Sequence, residues 1–464
     1  MTDKSYHMNY IWFISLVAAM GGLLFGYDWV VIGGAKPFYE KFFNLTSSFE
    51  IGWAMSSALA GCLIGALIAG AISDKFGRKK LLIGAGFMFT LSAVGTALAP
   101  TFPLFVIYRF IGGIGIGIAS TLSPMYIAEV SPADIRGRFV SINQLTIVIG
   151  ILMAQCINWL IARPVPENAS AEYILNSWNG QHGWRWMFAA ETVPAFLFFI
   201  LMFFIPESPR WLVKNAKKDN AAQILKRIGG NNYSNRSLSE IRDTLAEDVQ
   251  RVNFKNLFKP GMTKILGIGI FLAVFQQWCG INVIFNYAEE VFSQAGYGIS
   301  DILLNIVITG AVNLLFTFVA IFTVDRWGRR VLMLTGASGL AVIYLLIGFG
   351  YYFGSQGIHM LILVVSAIAC YAMSLAPITW VVISEIFPNR IRGAAMSIAV
   401  SFLWIACFIL TYTFPFLNRS LGASGTFWIY TTICVIGFLF IKKHLPETKG
   451  KTLEKIEHDL IKSP

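Results

Sequence analysis

The sequence predicts an all-α integral membrane protein with about twelve transmembrane helices, and three observations carry that expectation. The first is composition. Of 464 residues, 56% are hydrophobic and only 13% charged, and the mean hydropathy is +0.64. A soluble domain has roughly a quarter of its residues charged, so this chain has too little polar surface to face water. The second is a succession of apolar runs at 10–33, 51–72, 81–99, 103–128, 139–162, 186–205, 264–287, 301–324, 331–353, 359–384, 394–417 and 425–443. Each is long enough to cross a hydrocarbon core of about 30 Å as a helix. They are numbered here as spans one to twelve. The third is the placement of Lys and Arg. Lys75, Arg78, Lys79 and Lys80 follow span two, Arg136 and Arg138 follow span four, and Arg326, Arg329 and Arg330 follow span eight. Arg390 and Arg392 follow span ten, and Lys442-Lys443 follow span twelve. The stretch 206–263, after span six, carries eleven Lys and Arg against six Asp and Glu. With twelve spans every one of these lies on one side, which the positive-inside rule makes cytoplasmic together with both termini.

That placement also accounts for the formal net charge of +11, so no nucleic-acid partner is expected. The first apolar run is too long for the core of a cleaved signal peptide, so span one is expected to be retained. All six cysteines (Cys62, Cys156, Cys279, Cys370, Cys407 and Cys434) fall within apolar runs, and no pair has the spacing of metal ligands. Neither a nucleophile–base pair nor a phosphate-binding loop is visible, which argues against an enzyme and against ATP-driven transport. Gly112-Gly113-x-Gly115-x-Gly117 superficially matches a dinucleotide fingerprint. It lies inside span four with no strand before it, so it reads as a close helix-packing surface, as does Gly61-x-x-x-Gly65 in span two.

The chain repeats itself. Asp74-Lys75-Phe76-Gly77-Arg78-Lys79 returns as Asp325-Arg326-Trp327-Gly328-Arg329-Arg330. Glu129-Val130-Ser131-Pro132 with Arg136-Gly137 returns as Glu385-Ile386-Phe387-Pro388 with Arg392-Gly393, and Pro206-Glu207-Ser208 has a weaker echo in Pro446-Glu447-Thr448. The copies stand about half a chain length apart, so the economical organisation is two homologous six-helix halves. The expected parts are 1–205, an intracellular helical linker 206–263, a second half 264–443 and a cytoplasmic tail 444–464.

Three ionisable residues fall within spans: Asp28 in span one, Arg109 in span four and Glu191 in span six. Counted from the outer ends of those runs, each lies about 8–9 Å deep at 1.5 Å per residue. An unpaired charge there costs at least about 2–3 kcal/mol, so mutual neutralisation is expected. Two roles fit. Asp28 is a proton-binding carboxyl, biased by Arg109, for which Glu191 competes; or the three form a permanent ion pair locking helices together.

With the repeats come further motifs: Pro206-Glu207-Ser208-Pro209-Arg210-Trp211-Leu212, Gln276-Gln277-x-x-Gly280-Ile281-Asn282 and Pro446-Glu447-Thr448-Lys449-Gly450. In that order, at corresponding span ends, they resemble the sugar porter family of the major facilitator superfamily over nearly the whole chain. Ser123-Pro124-Met125-Tyr126-Ile127-Ala128-Glu129 and Ser384-Glu385-Ile386-Phe387-Pro388-Asn389 look most like its bacterial xylose–proton symporters. The resemblance implies the major facilitator fold, a bacterial inner membrane and a monomer that needs no cofactor beyond the coupling proton. It places Asp28, in Phe25-Gly26-Tyr27-Asp28, and Glu191 at the acids of the proton-coupled members, which facilitative glucose transporters of the family lack.

The resemblance also implies a sugar site. Hydroxyls need amide donors and acceptors, and the apolar faces of a sugar ring suit aromatics. Gln276, Gln277, Asn282, Asn313 and Trp404 lie near the middle of their spans, Gln144 and Trp380 nearer the basic side, and Phe25 and Asn286 complete the set. Gln276, Gln277 and Asn282 share one face only if span seven is broken, and Gly280 is the expected break. The bland alternative is that these amides glue helices together. The site departs from the xylose type at Asn286, a tyrosine there; at Leu403 and Ile151, glutamines there; and at Ala376, a glycine there. D-xylose is therefore one candidate beside other pentoses, hexoses and polyols.

Asp74, Arg78, Glu129 and Arg136, with Asp325, Arg329, Glu385 and Arg392, resemble the family's gating charge network; the plainer role is orientation alone. Pro377 is expected to break span ten and give it a hinge. The leading expectation is a proton-coupled monosaccharide symporter working by alternating access. Its alternatives are a facilitative uniporter and, more remotely, a sugar sensor.

Overall fold

The computed structural model describes residues 6–167, 169–248, 261–387 and 392–449, without the side chains of residues 71, 244–248, 324, 325, 384 and 392–394. Among the described residues the chain is 86% helix and has no strand. With no water to satisfy backbone groups inside a bilayer, a spanning segment must bond them within itself, and helices do so.

Spans one to five are the helices Met8–Phe42, Ser48–Phe76, Arg78–Leu98, Phe102–Val130 and Arg136–Ile161. Span six opens on a π-helical turn, Asn179–Gly183, and continues through Trp184–Ala189 and Thr192–Leu201. Span seven is broken into Met262–Trp278, Ile281–Asn286 and Ala288–Gln294. Spans eight and nine are Ile299–Trp327 and Arg329–Tyr352, and span ten is split into Ile358–Ala372 and Leu375–Ile386.

Among the described residues, eleven segments are long and apolar enough to cross a membrane, because Arg392–His444 runs on as one helix of 53 residues. At 1.5 Å per residue that would extend about 80 Å, more than twice a hydrocarbon core. Gly422 interrupts it with φ 68° and ψ 179°, so spans eleven and twelve are two crossings meeting at a glycine. The fold is the expected one, twelve helices in two six-helix halves.

Two boundaries differ from expectation for a physical reason. Span one continues to Phe42 instead of stopping at 33, because Lys36 and Glu40 lie inside the bundle and are paired there. Span six starts earlier than 186, with the amide of Asn179 holding the loop before it through Arg163 N–H (2.8 Å) and the Arg163 carbonyl (2.7 Å). Between the halves, Pro209–Lys214 and Lys218–Asp248 are helical, the second interrupted at Gly229-Gly230. Residues 249–260 of the expected linker, and the tail beyond 449, lie outside the described residues.

Packing inverts the pattern of a soluble protein. Val193 is 74% exposed and Phe322 71%, whereas Asp28, Arg109, Glu191, Gln276 and Asn282 are all buried. The glycines of spans two and four let their backbones touch. A Cβ added at Gly113 would lie 1.9 Å from the Ala58 carbonyl, at Gly117 2.2 Å from that of Cys62, and at Gly61 2.2 Å from that of Phe110. The dinucleotide-like motif is thus a helix-packing surface. Across the halves, span two lies on span eleven, where Trp53 meets Phe408 and Phe49 meets Tyr412, and span five lies on span eight.

Gly113→Val is expected to cost about 3 kcal/mol or more, or to abolish folding, because the clash is with backbone. Gly84→Ala, where a Cβ meets nothing within 4 Å, should leave stability unchanged or slightly raised. Thermal unfolding of the two variants in detergent compares them directly.

Candidate functional site

Span one carries the first charge because Asp28 has Arg109 of span four against it. The Arg109 guanidinium donates to Asp28 Oδ1 and, at 3.2 Å, to the Asp28 carbonyl. Both side chains are 2% exposed. Glu191, just before Thr192–Leu201 and also 2% exposed, is buried near the pair, and its Oε1, like Asp28 Oδ2, has no hydrogen-bond partner. The buried cluster thus holds two acids and one guanidinium. Phe188 closes the other side of Arg109, its ring centroid 5.6 Å from the guanidinium carbon. The three in-span ions of the sequence therefore meet. Asp28 sits about 20 Å from the Phe42 end of span one, and Arg109 about 10 Å from the start of Phe102–Val130.

The amides meet because span seven breaks where expected. Gly280 adopts φ +91°, open to glycine at little cost, and a Cβ there would strike the Tyr430 ring at 2.7 Å. The break turns Asn282 back so that its Nδ2 donates to Gln277 Oε1 (2.5 Å), while Gln277 Nε2 donates to Gln276 Oε1 (2.9 Å). Gln276 Nε2 reaches the Ala376 carbonyl at 3.4 Å, on the second piece of span ten. Span ten opens at Ser374 (φ −130°, ψ −89°), just before Pro377, which occupies the first turn of Leu375–Ile386 where its missing N–H costs nothing.

Asn282 Nδ2 lies 3.7 Å from Cys407 Sγ, and Trp404, one turn away on the same helix, belongs to an aromatic cluster. Trp404 is buried with Nε1 unpartnered and meets Phe25 of span one at 5.9 Å between ring centroids. The sequence reading missed Trp29, whose ring meets both Phe25 (5.8 Å) and Trp404 (6.0 Å). Its spacing of one helical turn from Phe25 was the available signal. Asn286 and Asn313 are buried, and Asn286 Oδ1 has no partner. Gln144 is half-buried and Trp380 is 37% exposed, apart from the amide row. Of the departures from the xylose type, Leu403 is buried and Ala376 touches the row through its carbonyl. A hollow of about 580 Å³ lined by Arg163, Tyr173 and Trp178 belongs to the loop between spans five and six and shares none of these residues.

The repeated charge motifs form two matching networks on the basic side. Arg78 pairs with Asp74 (3.2 Å) and Glu129 (3.0 Å), and Lys214 of the linker reaches Asp74 (2.7 Å). Burial works against it, but Lys214 and Arg78 hold the Asp74 carboxyl below its usual range. Arg329 pairs with Glu385 (3.4 Å) in the second half. Arg136 is exposed near Tyr233 and does not join the Arg78–Glu129 pair, and the side chains of Asp325 and Arg392 lie outside the described residues.

The Pro-Glu-Ser and Pro-Glu-Thr echoes, weak in sequence, prove equivalent in space. Glu207 accepts from the Arg78 and Lys79 N–H groups (3.0 and 3.1 Å), and Glu447 from those of Arg329 and Arg330 (2.9 and 3.1 Å). Glu207 caps the N-terminus of span three and Glu447 that of span nine. Burial raises the Glu207 carboxyl above its usual range, against the pull of those donors. Gly77 and Gly328, both at φ +90°, make room: a Cβ would meet Glu207 at 2.2 Å or Glu447 at 2.7 Å.

Removing Arg109 leaves a carboxyl pair buried with no counter-charge. Arg109→Met is expected to cost about 3–5 kcal/mol in thermal unfolding, with Asp28→Asn on top recovering part of it.

Comparison with known proteins agrees with this geometry. The family profile described as "Sugar (and other) transporter" matches residues 14–460. The D-xylose-proton symporter of Escherichia coli (strain K12) is 42% identical, over 98% of this chain and 96% of its own length. The arabinose-proton symporter of Bacillus subtilis (strain 168) is 40% identical, over 99% and 97%. The solved inward-open conformation of the xylose transporter XylE from E. coli superposes with a TM-score of 0.83 at 40% identity, covering 97% of this chain and 99% of that one. Identity of this order along essentially the full length of both chains, with the repeated networks in place, means that the chain belongs to the sugar transporter family and has its major facilitator fold.

Proposed function

We propose that the protein is a proton-coupled monosaccharide symporter working by alternating access, with Asp28 as the proton site, Arg109 setting its affinity and Glu191 competing for Arg109. One observation carries the reading: span one holds both the buried carboxyl Asp28 and, within a turn of it, Phe25 and Trp29, whose rings meet Trp404 of the other half. A change in the charge of Asp28 acts on the helix that forms one wall of the aromatic–amide site. That is the physical link symport requires.

The substrate contacts in this reading are Gln276, Gln277, Asn282, Asn286, Asn313, Phe25 and Trp404, with Gln144 and Trp380 nearer the basic side. Asp74, Arg78, Glu129 and Arg136, with Asp325, Arg329, Glu385 and Arg392, gate that side. The coupling ion is the proton and no other cofactor takes part. The basic loops and both termini face the cytoplasm of a bacterial inner membrane, and the working unit is the monomer, divided at 205, 263 and 443. Related chains at 42% and 40% identity are named for different pentoses, xylose and arabinose, so the sugar rests on the pocket itself.

In proteoliposomes of the full chain, sugar addition is expected to alkalinise the external medium in step with uptake. Asp28→Asn should abolish accumulation against a gradient while sparing sugar exchange at equilibrium. Uptake without proton movement and without accumulation against a gradient, at the same rate in Asp28→Asn as in the parent, would establish the uniporter instead. A panel of labelled pentoses, hexoses and polyols identifies the substrate. Asn286→Tyr with Leu403→Gln should shift preference toward xylose, by on the order of tenfold if two hydrogen bonds are regained.

A further inference from the structure

The strongest charge cluster that this mechanism leaves unused lies at the opposite end of the bundle from the basic loops. Lys36 of span one is only 2% exposed, yet its Nζ meets three carboxylates: Glu40 at 2.9 Å, Glu289 at 2.9 Å and Glu290 at 2.6 Å. Glu40 stands one turn away on the same helix. Glu289 and Glu290 belong to the other half, on the last piece of span seven, Ala288–Gln294. The Tyr287 ring centroid lies 5.9 Å from the same Nζ. One turn inward, Gly33 lets the backbones close up, since a Cβ there would lie 2.8 Å from the Phe285 carbonyl.

The arrangement differs in kind from the networks at the basic end. There, Arg78–Glu129 and Arg329–Glu385 each join residues of one half. Lys36–Glu289 and Lys36–Glu290 join the two halves to each other. A buried ammonium is stable only while paired. Parting the outer ends of spans one and seven therefore has to break these bonds and admit water to all four groups.

We propose that Lys36 is a positioning residue of the transport cycle: by bridging to Glu289 and Glu290 it holds the two halves together at their outer ends, and its release is the event that opens the site to the outside. The proposal rests on the alternating-access reading above but is read out separately from transport. Ile32, on the same face one turn inward and 2% exposed, serves as the reporter.

In the full chain carrying Ile32→Cys, reaction with a membrane-impermeant maleimide is measured from the outside without sugar, against the same chain lacking that cysteine. Lys36→Met is expected to speed labelling by at least about tenfold, since a broken buried pair shifts an equilibrium by more than that. Lys36→Arg should label close to the parent rate, and Lys36→Glu with Glu290→Lys should return it most of the way there. Net uptake by Lys36→Met should fall through turnover rather than through KM. Should Lys36→Met not fold, Glu289→Ala with Glu290→Ala removes the bridge from the other side and is likewise expected to speed labelling. Labelling at the parent rate in the folded Lys36→Met or double-alanine variant overturns the proposal, whatever happens to transport. Absence of sugar uptake by the parent chain would instead sink the transport reading.

Discussion

The interior of this bundle is organised by a single requirement: Arg109, buried two turns into a membrane-spanning helix, has to keep company with Asp28. A guanidinium in hydrocarbon is costly unless an anion and hydrogen-bond acceptors surround it, and Asp28 supplies a carboxylate oxygen and a backbone carbonyl. That demand brings spans one and four together, and the glycines of spans two and four let the helices around them close to backbone contact. Glu191 adds a second carboxyl beside the first. The cluster then holds two acids to one cation.

Irregular backbone within the bundle is concentrated where polar groups are needed. Span seven breaks at Gly280 and span ten at Ser374, and the Gln276–Gln277–Asn282 row lies between those breaks, one amide touching the Ala376 carbonyl. A continuous span seven would point Asn282 away from Gln277. Non-helical backbone at membrane depth is tolerated only where it is buried in protein or lines a cavity, and both breaks meet that condition. The aromatic wall from Phe25, Trp29 and Trp404 joins this row to the helix bearing Asp28.

The two ends of the bundle are held differently. At the basic end each half is braced internally, with Glu207 and Glu447 capping equivalent helix starts. At the other end Lys36 ties half to half. Among the described residues, the pairs at the basic end brace each half and those of Lys36 bridge the two.

By itself, the sequence determined what depends on composition and repetition. An apolar chain with periodic basic loops must be a helical membrane bundle, and a motif set recurring half a chain apart must be two related halves. Asp28, Arg109 and Glu191 were legible singly, because a charge inside an apolar run stands out, and Gly280 was legible as a break. Tertiary structure alone decided the rest, because partners distant in sequence leave no local trace. Lys36 looked like the loop that ends span one, since only Glu289 and Glu290 from the other half let a lysine stay inside. Trp29 looked like one more apolar residue until Trp404 was placed against it. Glu207 looked like part of a weak echo until its carboxylate was found over the N–H groups that Gly77 leaves open. Hydropathy reports which solvent a residue tolerates on average; whether a buried charge is tolerable depends on what another helix brings within 3 Å.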